Sequence, residues 1–273
     1  MGVVFQNSAF INEEDLIIKS SNRAFNYGDG FFETIKIINC KPFNFSAHYN
    51  RYLFACSVLK LKNTETEKSL LALILELVKQ NKMLNGSVKI HISRSEGGKY
   101  LPHSASSEIL ISANNGVGFE QNIPISLCVF SDEVKTKGKL SNVKSVNASV
   151  SVVGAIYAKE FGFGGAILLN IDANYIETTN SNIFILKEGK IYTPPLADGC
   201  VDGTMRNWVL SQESVIEKSI NQIDIEGADE VFISNAISGI IPVEVVSIES
   251  TQIYANEFAQ NLQEKLINLS LGL

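Results

Sequence analysis

The chain has 273 residues, 45% of them hydrophobic and 19% charged, enough to bury one large core or two modest ones without disulfide or metal staples. Its 23 Lys and Arg stand against 29 Asp and Glu, for a net charge of −6 with no long basic run, which argues against a nucleic-acid surface. The same composition excludes a disordered, collagenous or coiled-coil chain.

The N-terminal run MGVVFQNSAFINEEDLIIKS lacks the basic and then apolar pattern of a secretory signal, and Gly2 has no basic patch to support myristoylation. The longest apolar stretch, 70–75, is too short to span a membrane. A soluble cytoplasmic protein without membrane partners is expected. Next comes a turn, Asn26-Tyr27-Gly28-Asp29-Gly30, and then FFETIKII, which reads as a strand. Apolar and aromatic residues at helical spacing predict a helix over 46–61, with Ser46 as its cap. Thr64-Glu65-Thr66-Glu67 reads as a capping box before a helix over 69–84. Val88, Ile90 and Ile92 alternate, predicting a half-buried strand over 87–93, and another strand is expected over 108–113. The polar stretch 114–122 is the best candidate linker, ahead of a strand over 125–130. Beyond it, strands are expected over 165–170, 183–186 and 230–234, and helices over 149–161, 204–217 and 255–269, with Gly162 as a helix stop. This gives an expected division into 1–113, a linker at 114–122, and 123–273. Strands and helices mix without a regular βαβ rhythm, so an α+β or mixed α/β arrangement is favoured over a doubly wound sheet.

Several motifs are missing. There is no GxGxxG after a strand and no GxxxxGK[ST]. The four cysteines form no CxxC pair and the three histidines no HExxH, so no metal is expected. The residues that could carry chemistry are each ambiguous alone. Lys144 is followed by an apolar run and could enter the core, as a Schiff-base lysine must, or it could be a surface lysine whose stem covers apolar atoms. Glu177 precedes a polar cluster leading into an apolar strand. It could hold a cationic ring nitrogen or sit in a wet turn. Asp202-Gly203-Thr204-Met205-Arg206 opens a helix, which makes either an anion site or a plain cap. Ser234-Asn235-Ala236 follows a strand and offers a second amide cluster. Arg51 could reach inward to a phosphate or lie on a solvated helix face.

Order and spacing change that balance. The segments NRAFNYGDGFFETIKI (22–37), HYNRYLFA (48–55), SRSEGGK (93–99), VKSVNASV (143–150), YIETTNSNIF (175–184), DGTMR (202–206) and FISNAISGIIPV (232–243) run through nearly the whole chain. In that order they resemble the fold type IV pyridoxal-phosphate (PLP) enzymes: branched-chain aminotransferases, D-amino acid transaminases and 4-amino-4-deoxychorismate lyases. The resemblance implies a two-domain PLP fold with the cofactor in the cleft between the domains, and a homodimer acting on a small amino substrate. It implies that Lys144 holds PLP as a Schiff base and then shuttles the substrate proton, and that Glu177 pairs with the pyridine nitrogen. Arg51 and the backbone at Gly203, Thr204 and Met205 would take the phosphate. Asn235 and Ala236 fall at the second phosphate loop, where Ala236 replaces a common hydroxyl residue and Asn235 could substitute for it. Tyr27, Arg94 and Lys99 fall where the family meets substrate.

Within the family, Lys144-Ser145-Val146-Asn147 resembles the lyases and D-transaminases more than the branched-chain enzymes, while Gly203 to Arg206, Asn235-Ala236 and SRSEGGK lean toward the lyase, which releases p-aminobenzoate and pyruvate in folate precursor synthesis. Lys99 stands where arginine is common and Tyr100 where glycine is common, and lysine lacks arginine's bidentate fork. Lys99 is alternatively a solvated loop residue. A transaminase of D-amino acids or branched-chain L-amino acids is the second expectation, and a PLP-binding homologue with little turnover the third.

Overall fold

A computed structural model describes residues 2–248 and 251–273. The chain forms two compact units. One comprises Met1–Gly118 with Val143–Asn147, the other Phe119–Asn142 with Ala148–Leu273.

In the first unit the elements are β1 (Val3–Gln6), β2 (Ala9–Asn12), α1 (Arg23–Tyr27), β3 (Gly30–Ile38), β4 (Lys41–Pro42), α2 (Phe45–Val58), α3 (Glu67–Gln80), β5 (Gly86–Arg94) and β6 (Ser107–Asn115). The strands form one sheet in the order β2-β1-β6-β5-β3-β4, all antiparallel. The pleat sends alternate residues to opposite faces. Phe31, Ile35, Ile37, Val88, Ile90 and Ile92 therefore point one way, into a core completed by Tyr52 and Cys56 of α2 and Leu70, Ile74 and Leu77 of α3. Each such side chain contributes about 1.5–3 kcal/mol on full burial.

Helix α3 starts two residues earlier than expected, with its capping box formed by Thr66 and Ser69 rather than Thr64 and Glu67. Helix α2 begins after Asn44, which is left-handed at φ 51° and gives no side-chain cap. Ser46, the expected cap, instead donates to Glu67 Oε1 at 2.7 Å.

The second unit contains β7 (Ile125–Lys135), α4 (Lys139–Asn142), α5 (Ser149–Glu160), β8 (Gly165–Asn170), β9 (Tyr175–Thr178), β10 (Asn182–Lys187), β11 (Lys190–Thr193), α6 (Thr204–Gln212), β12 (Val215–Glu217), α7 (Gln222–Glu226), β13 (Glu230–Asn235), β14 (Gly239–Ser247), β15 (Thr251–Ile253) and α8 (Glu257–Leu271). The strand path is β12-β11-β10-β13-β14-β7-β8-β9, with β15 on β14. Strand β9 also pairs back to β10 through Asn182 and Glu177, so the central strands close on themselves. Leu127, Ile167, Ile183, Val231, Ile233 and Val243 form one core. Cys128, Phe130 and Leu168, on the alternate face, meet Ala158 of α5 in another. Helix α6 is shorter than expected because Val215 and Ile216, both β-branched, pair with Ile191 and Tyr192 as a parallel strand. Among the described residues no helix is long and apolar enough to cross a membrane.

Val143–Asn147 departs from the expected division, which assigned everything after 122 to the second domain. Val143 is buried in the first core. Phe32 N–H donates to Lys144 O at 3.0 Å, Val146 N–H donates to Gly30 O at 3.2 Å, and Ser145 bridges Phe31. These bonds hold the segment to the start of β3.

Candidate active site

Within the first unit Lys144 lies where that segment meets β3. Its Nζ is 4.7 Å from the centre of the Phe32 ring, and its charge acts on His48. The side chain is half-buried.

Behind it, on the core face of β3, Glu33 is buried and held from two sides. Arg51 donates from Nε to Glu33 Oε1 at 2.7 Å and from Nη2 to Oε2 at 2.6 Å, and His48 Nδ1 lies 2.7 Å from Oε2. Burial by itself would raise the Glu33 carboxyl. Arg51 and then His48 outweigh that and hold it at about 2. Burial lowers His48 despite the Glu33 carboxylate beside it. Arg51 is therefore oriented by a bidentate carboxylate.

A second buried network shapes the turn before β3. Asp29 Oδ2 accepts from Arg23 Nε and from Arg94 Nε, each at 2.9 Å. Arg23 Nη1 donates to the carbonyls of Gly97, Gly98 and Lys99 at 3.1, 3.2 and 2.8 Å. Arg94, expected to face substrate, points inward instead. Its remaining donors go to the Leu59 and Lys60 carbonyls at 2.6 and 3.3 Å, which satisfies the chain end of α2. The Lys99 side chain is exposed. Tyr27 is partly exposed, with the Arg23 guanidinium 4.8 Å above its ring and the Tyr100 ring 5.9 Å away.

The second unit carries the other group of expected residues. Glu177 is buried on β9 at the point where that strand pairs with Asn182 of β10. Its Oε1 accepts from Lys135 Nζ and its Oε2 from the Val201 N–H at 2.8 Å. Beside it, burial and then the Glu177 charge push the Cys200 thiol up to about 12.

Asn182 links this carboxylate to the start of α6. Its Nδ2 donates to Val201 O at 2.8 Å, and its Oδ1 lies where a Cβ on Gly203 would fall. A Cβ there would force the Asn182 side chain to move, and as the cap of α6 Gly203 offers no side chain to the first-turn N–H groups around Thr204 and Met205. Asn182 also faces Ser234 in the β10–β13 register, and the Ser234 hydroxyl is buried without a hydrogen-bond partner. Asn235, expected as a possible anion ligand, uses its side chain on its own turn. Its Oδ1 accepts from the Ile237 and Ser238 N–H groups at 2.9 and 2.8 Å, and its Nδ2 donates to Ser181 at 3.0 Å. Ala236 lies inside that turn. Glu177, the glycine-capped helix start and the orphaned Ser234 hydroxyl thus share one corner of the unit. They form a carboxylate next to an anion cradle.

Residue-by-residue reading did not single out Arg23, Asp29, His48 or Lys135. Arg23 opens the short helix before the turn and Asp29 lies inside the turn, and no periodicity marks either as buried. Lys135 lies beyond the expected end of the 125–130 strand, which in fact runs on to 135.

A family model described as amino-transferase class IV matches residues 30–246. The chain is 25% identical over 261 residues to a D-alanine aminotransferase of Staphylococcus epidermidis, covering 92% of each chain. It is 28% identical over 242 residues to an aminodeoxychorismate lyase of Vibrio harveyi, covering 85% of this chain and 88% of that one. A branched-chain aminotransferase from Thermoproteus uzoniensis, solved with norvaline, matches with a TM-score of 0.91 at 22% identity, over 99% of this chain and 95% of that one.

Proposed function

Because the chain belongs to the class IV aminotransferase family, whose enzymes depend on PLP, we propose that it is a lyase converting 4-amino-4-deoxychorismate to p-aminobenzoate and pyruvate. The residues fit the cofactor. A phosphate dianion suits the glycine-capped start of α6 and the partnerless Ser234 hydroxyl, and a protonated ring nitrogen suits the buried Glu177 carboxylate. When bound, PLP supplies an electron-withdrawing ring that stabilises negative charge on the substrate carbon bearing the amine.

In this reading Lys144 holds the cofactor through Nζ. The same amine, when not bound to the cofactor, would take the proton from that carbon. Glu177 holds a proton on the ring nitrogen. Gly203, Thr204, Met205 and the turn at Asn235 and Ala236 take the phosphate through backbone N–H groups. Arg51, fixed by Glu33, adds positive charge for the phosphate. Tyr27 and Lys99 meet the substrate, while Arg94 acts indirectly by fixing Asp29 and the end of α2. The enzyme works as a cytoplasmic homodimer in folate precursor synthesis.

The observation that carries the proposal is the Lys144 amine seated on Phe32, in a chain whose Gly203 to Arg206 and SRSEGGK runs resemble the lyases. The second reading, a transaminase of D-amino acids or branched-chain L-amino acids, is favoured by the likeness to the D-alanine aminotransferase. The two separate cleanly by experiment. The lyase needs no keto acid and releases p-aminobenzoate and pyruvate in equal amounts, repeatedly. Lys144→Ala should cut that release by at least about 10²–10⁴-fold through loss of the base alone. If release is absent while an amino acid converts the cofactor band in a reaction reversed by a keto acid, the transaminase reading replaces it.

A further inference from the structure

Helix α8 packs on β14 and β13 of the second unit and buries Ala259, Leu262 and Leu266, spaced three and four apart. Gln263 lies on the same face and is wholly buried. A buried amide is costly unless its atoms find partners. Gln263 Oε1 accepts from the Ile240 N–H at 2.7 Å, and its Nε2 donates to Ser238 O at 3.1 Å and Glu120 O at 2.5 Å. An apolar side chain would fill the position without that cost. What the glutamine adds is direction, since a fully satisfied buried network fixes one arrangement of the groups it joins.

Those groups are held from a second side. Asn122 Nδ2 donates to Ser238 O at 2.9 Å and to Ile240 O at 2.6 Å. Between the two anchored residues, Gly239 has φ 79°, and a Cβ on it would fall 2.4 Å from Gln263 Oε1 and 2.5 Å from Leu266 Cδ2. The helix therefore meets the main chain closely at this point. Asn122 and Gln263 come from parts of the sequence 141 positions apart, yet both end on the same short stretch.

That stretch closes the turn which opens at Asn235. Within it, Asn235 Oδ1 gathers the Ile237 and Ser238 N–H groups, and Asn235 Nδ2 is tied to Ser181. Ala236 brings no polar side-chain atom, so an anion beside it meets main-chain N–H groups. The aim of a main-chain N–H is set by the dihedrals of the turn and cannot be corrected by a rotamer.

We propose that Gln263 and Asn122 are positioning residues for the cofactor phosphate: from behind, they lock the turn over 235–239 in the form whose N–H groups face the anion. This rests on the reading that the turn takes the PLP phosphate. It makes phosphate affinity depend on α8 and on the segment at 120–122, neither of which touches the anion.

The test uses the full chain and compares PLP with pyridoxal, which lacks the phosphate. Each is titrated against the cofactor absorbance band, and the ratio of the two affinities isolates what the phosphate contributes. Gln263→Met, of similar volume, should lower that ratio about 10–100-fold, the loss expected for one charge-assisted hydrogen bond, with pyridoxal affinity little changed. Asn122→Ala should lower it in the same direction by a smaller factor, and decides the question alone if Gln263→Met does not fold. Leu262→Ala loosens the same helix by a cavity and should lower the unfolding temperature while leaving the ratio in place. If Gln263→Met and Asn122→Ala weaken PLP and pyridoxal alike, or Leu262→Ala lowers the ratio as much as they do, the proposal is overturned. A wild-type ratio near one would show that the turn does not hold phosphate, and the cradle reading would fall together with this one. A large wild-type ratio that Gln263→Met and Asn122→Ala leave unchanged sinks the positioning role alone.

Discussion

Replacing Glu33 with glutamine tests whether its buried charge is structural. The carboxylate lies on β3 with three short contacts to Arg51 and His48. Glutamine keeps the shape but leaves the Arg51 guanidinium buried without its counter-ion, a change that costs about 3–5 kcal/mol in comparable settings. Proton linkage gives a second route to the magnitude. The folded carboxyl sits at about 2 against an ordinary 4.5, which corresponds to about 3 kcal/mol of stability. Because the folded value is depressed, that stability is present above pH 4.5 and is lost as pH falls toward 2. Roughly 2 kcal/mol of it should already be gone at about pH 3. Urea unfolding of wild type and Glu33→Gln, followed by circular dichroism between about pH 3 and 6, gives the difference in stability at each pH. Other carboxylates cancel in that difference. The gap between the two proteins should be largest at pH 6 and narrow as pH falls. A gap below about 1 kcal/mol at pH 6, or one independent of pH, would show that Arg51 finds another partner and that Glu33 does not anchor it.

Two further outcomes follow from the second unit and the cysteines. Burial pushes the thiols of Cys56 and Cys200 up to about 11 and about 12 and raises that of Cys128, while Cys40 is exposed. A disulfide reagent at about pH 8 should therefore modify Cys40 promptly and reach the others after denaturation; rapid modification of Cys200 in the native protein would contradict the packing around Glu177. Gly203→Ala should lower stability by about 1–3 kcal/mol, because its Cβ would strike the Asn182 side chain that ties Val201 to β10. It should also weaken PLP retention. Thermal unfolding and cofactor titration measure the two effects, and unchanged values in both would remove Gly203 from the anion cradle.

Much of the architecture was legible because burial imposes a period. FFETIKII and the Val88, Ile90, Ile92 alternation are written by the pleat of a sheet covered on one face, and β8 appeared with the expected bounds. β14 was not foreseen, since its glycine, proline and continuous apolar run give no alternation, and it is buried among other strands. The β1–β2 hairpin is short and half-exposed, so it leaves little pattern. At the site, residue types pointed to Lys144, Glu177 and the Gly203 turn. Which cations are tied up is a matter of three-dimensional pairing. The commitment of Arg94 to Asp29, of Lys135 to Glu177, and of the Asn235 side chain to its own turn could not be read from spacing.

The excursion of Val143–Asn147 constrains how the chain can be recombined. A cut after Gly118 looks like the natural place to separate or exchange the halves. It would deprive the first unit of Val143 in its core and of the bonds that Lys144 and Ser145 make to β3. Chimeras built at that point would inherit Lys144 from one parent and the surface that seats it from the other. Recombination that respects the structure has to carry residues 143–147 together with the β3 they are bonded to.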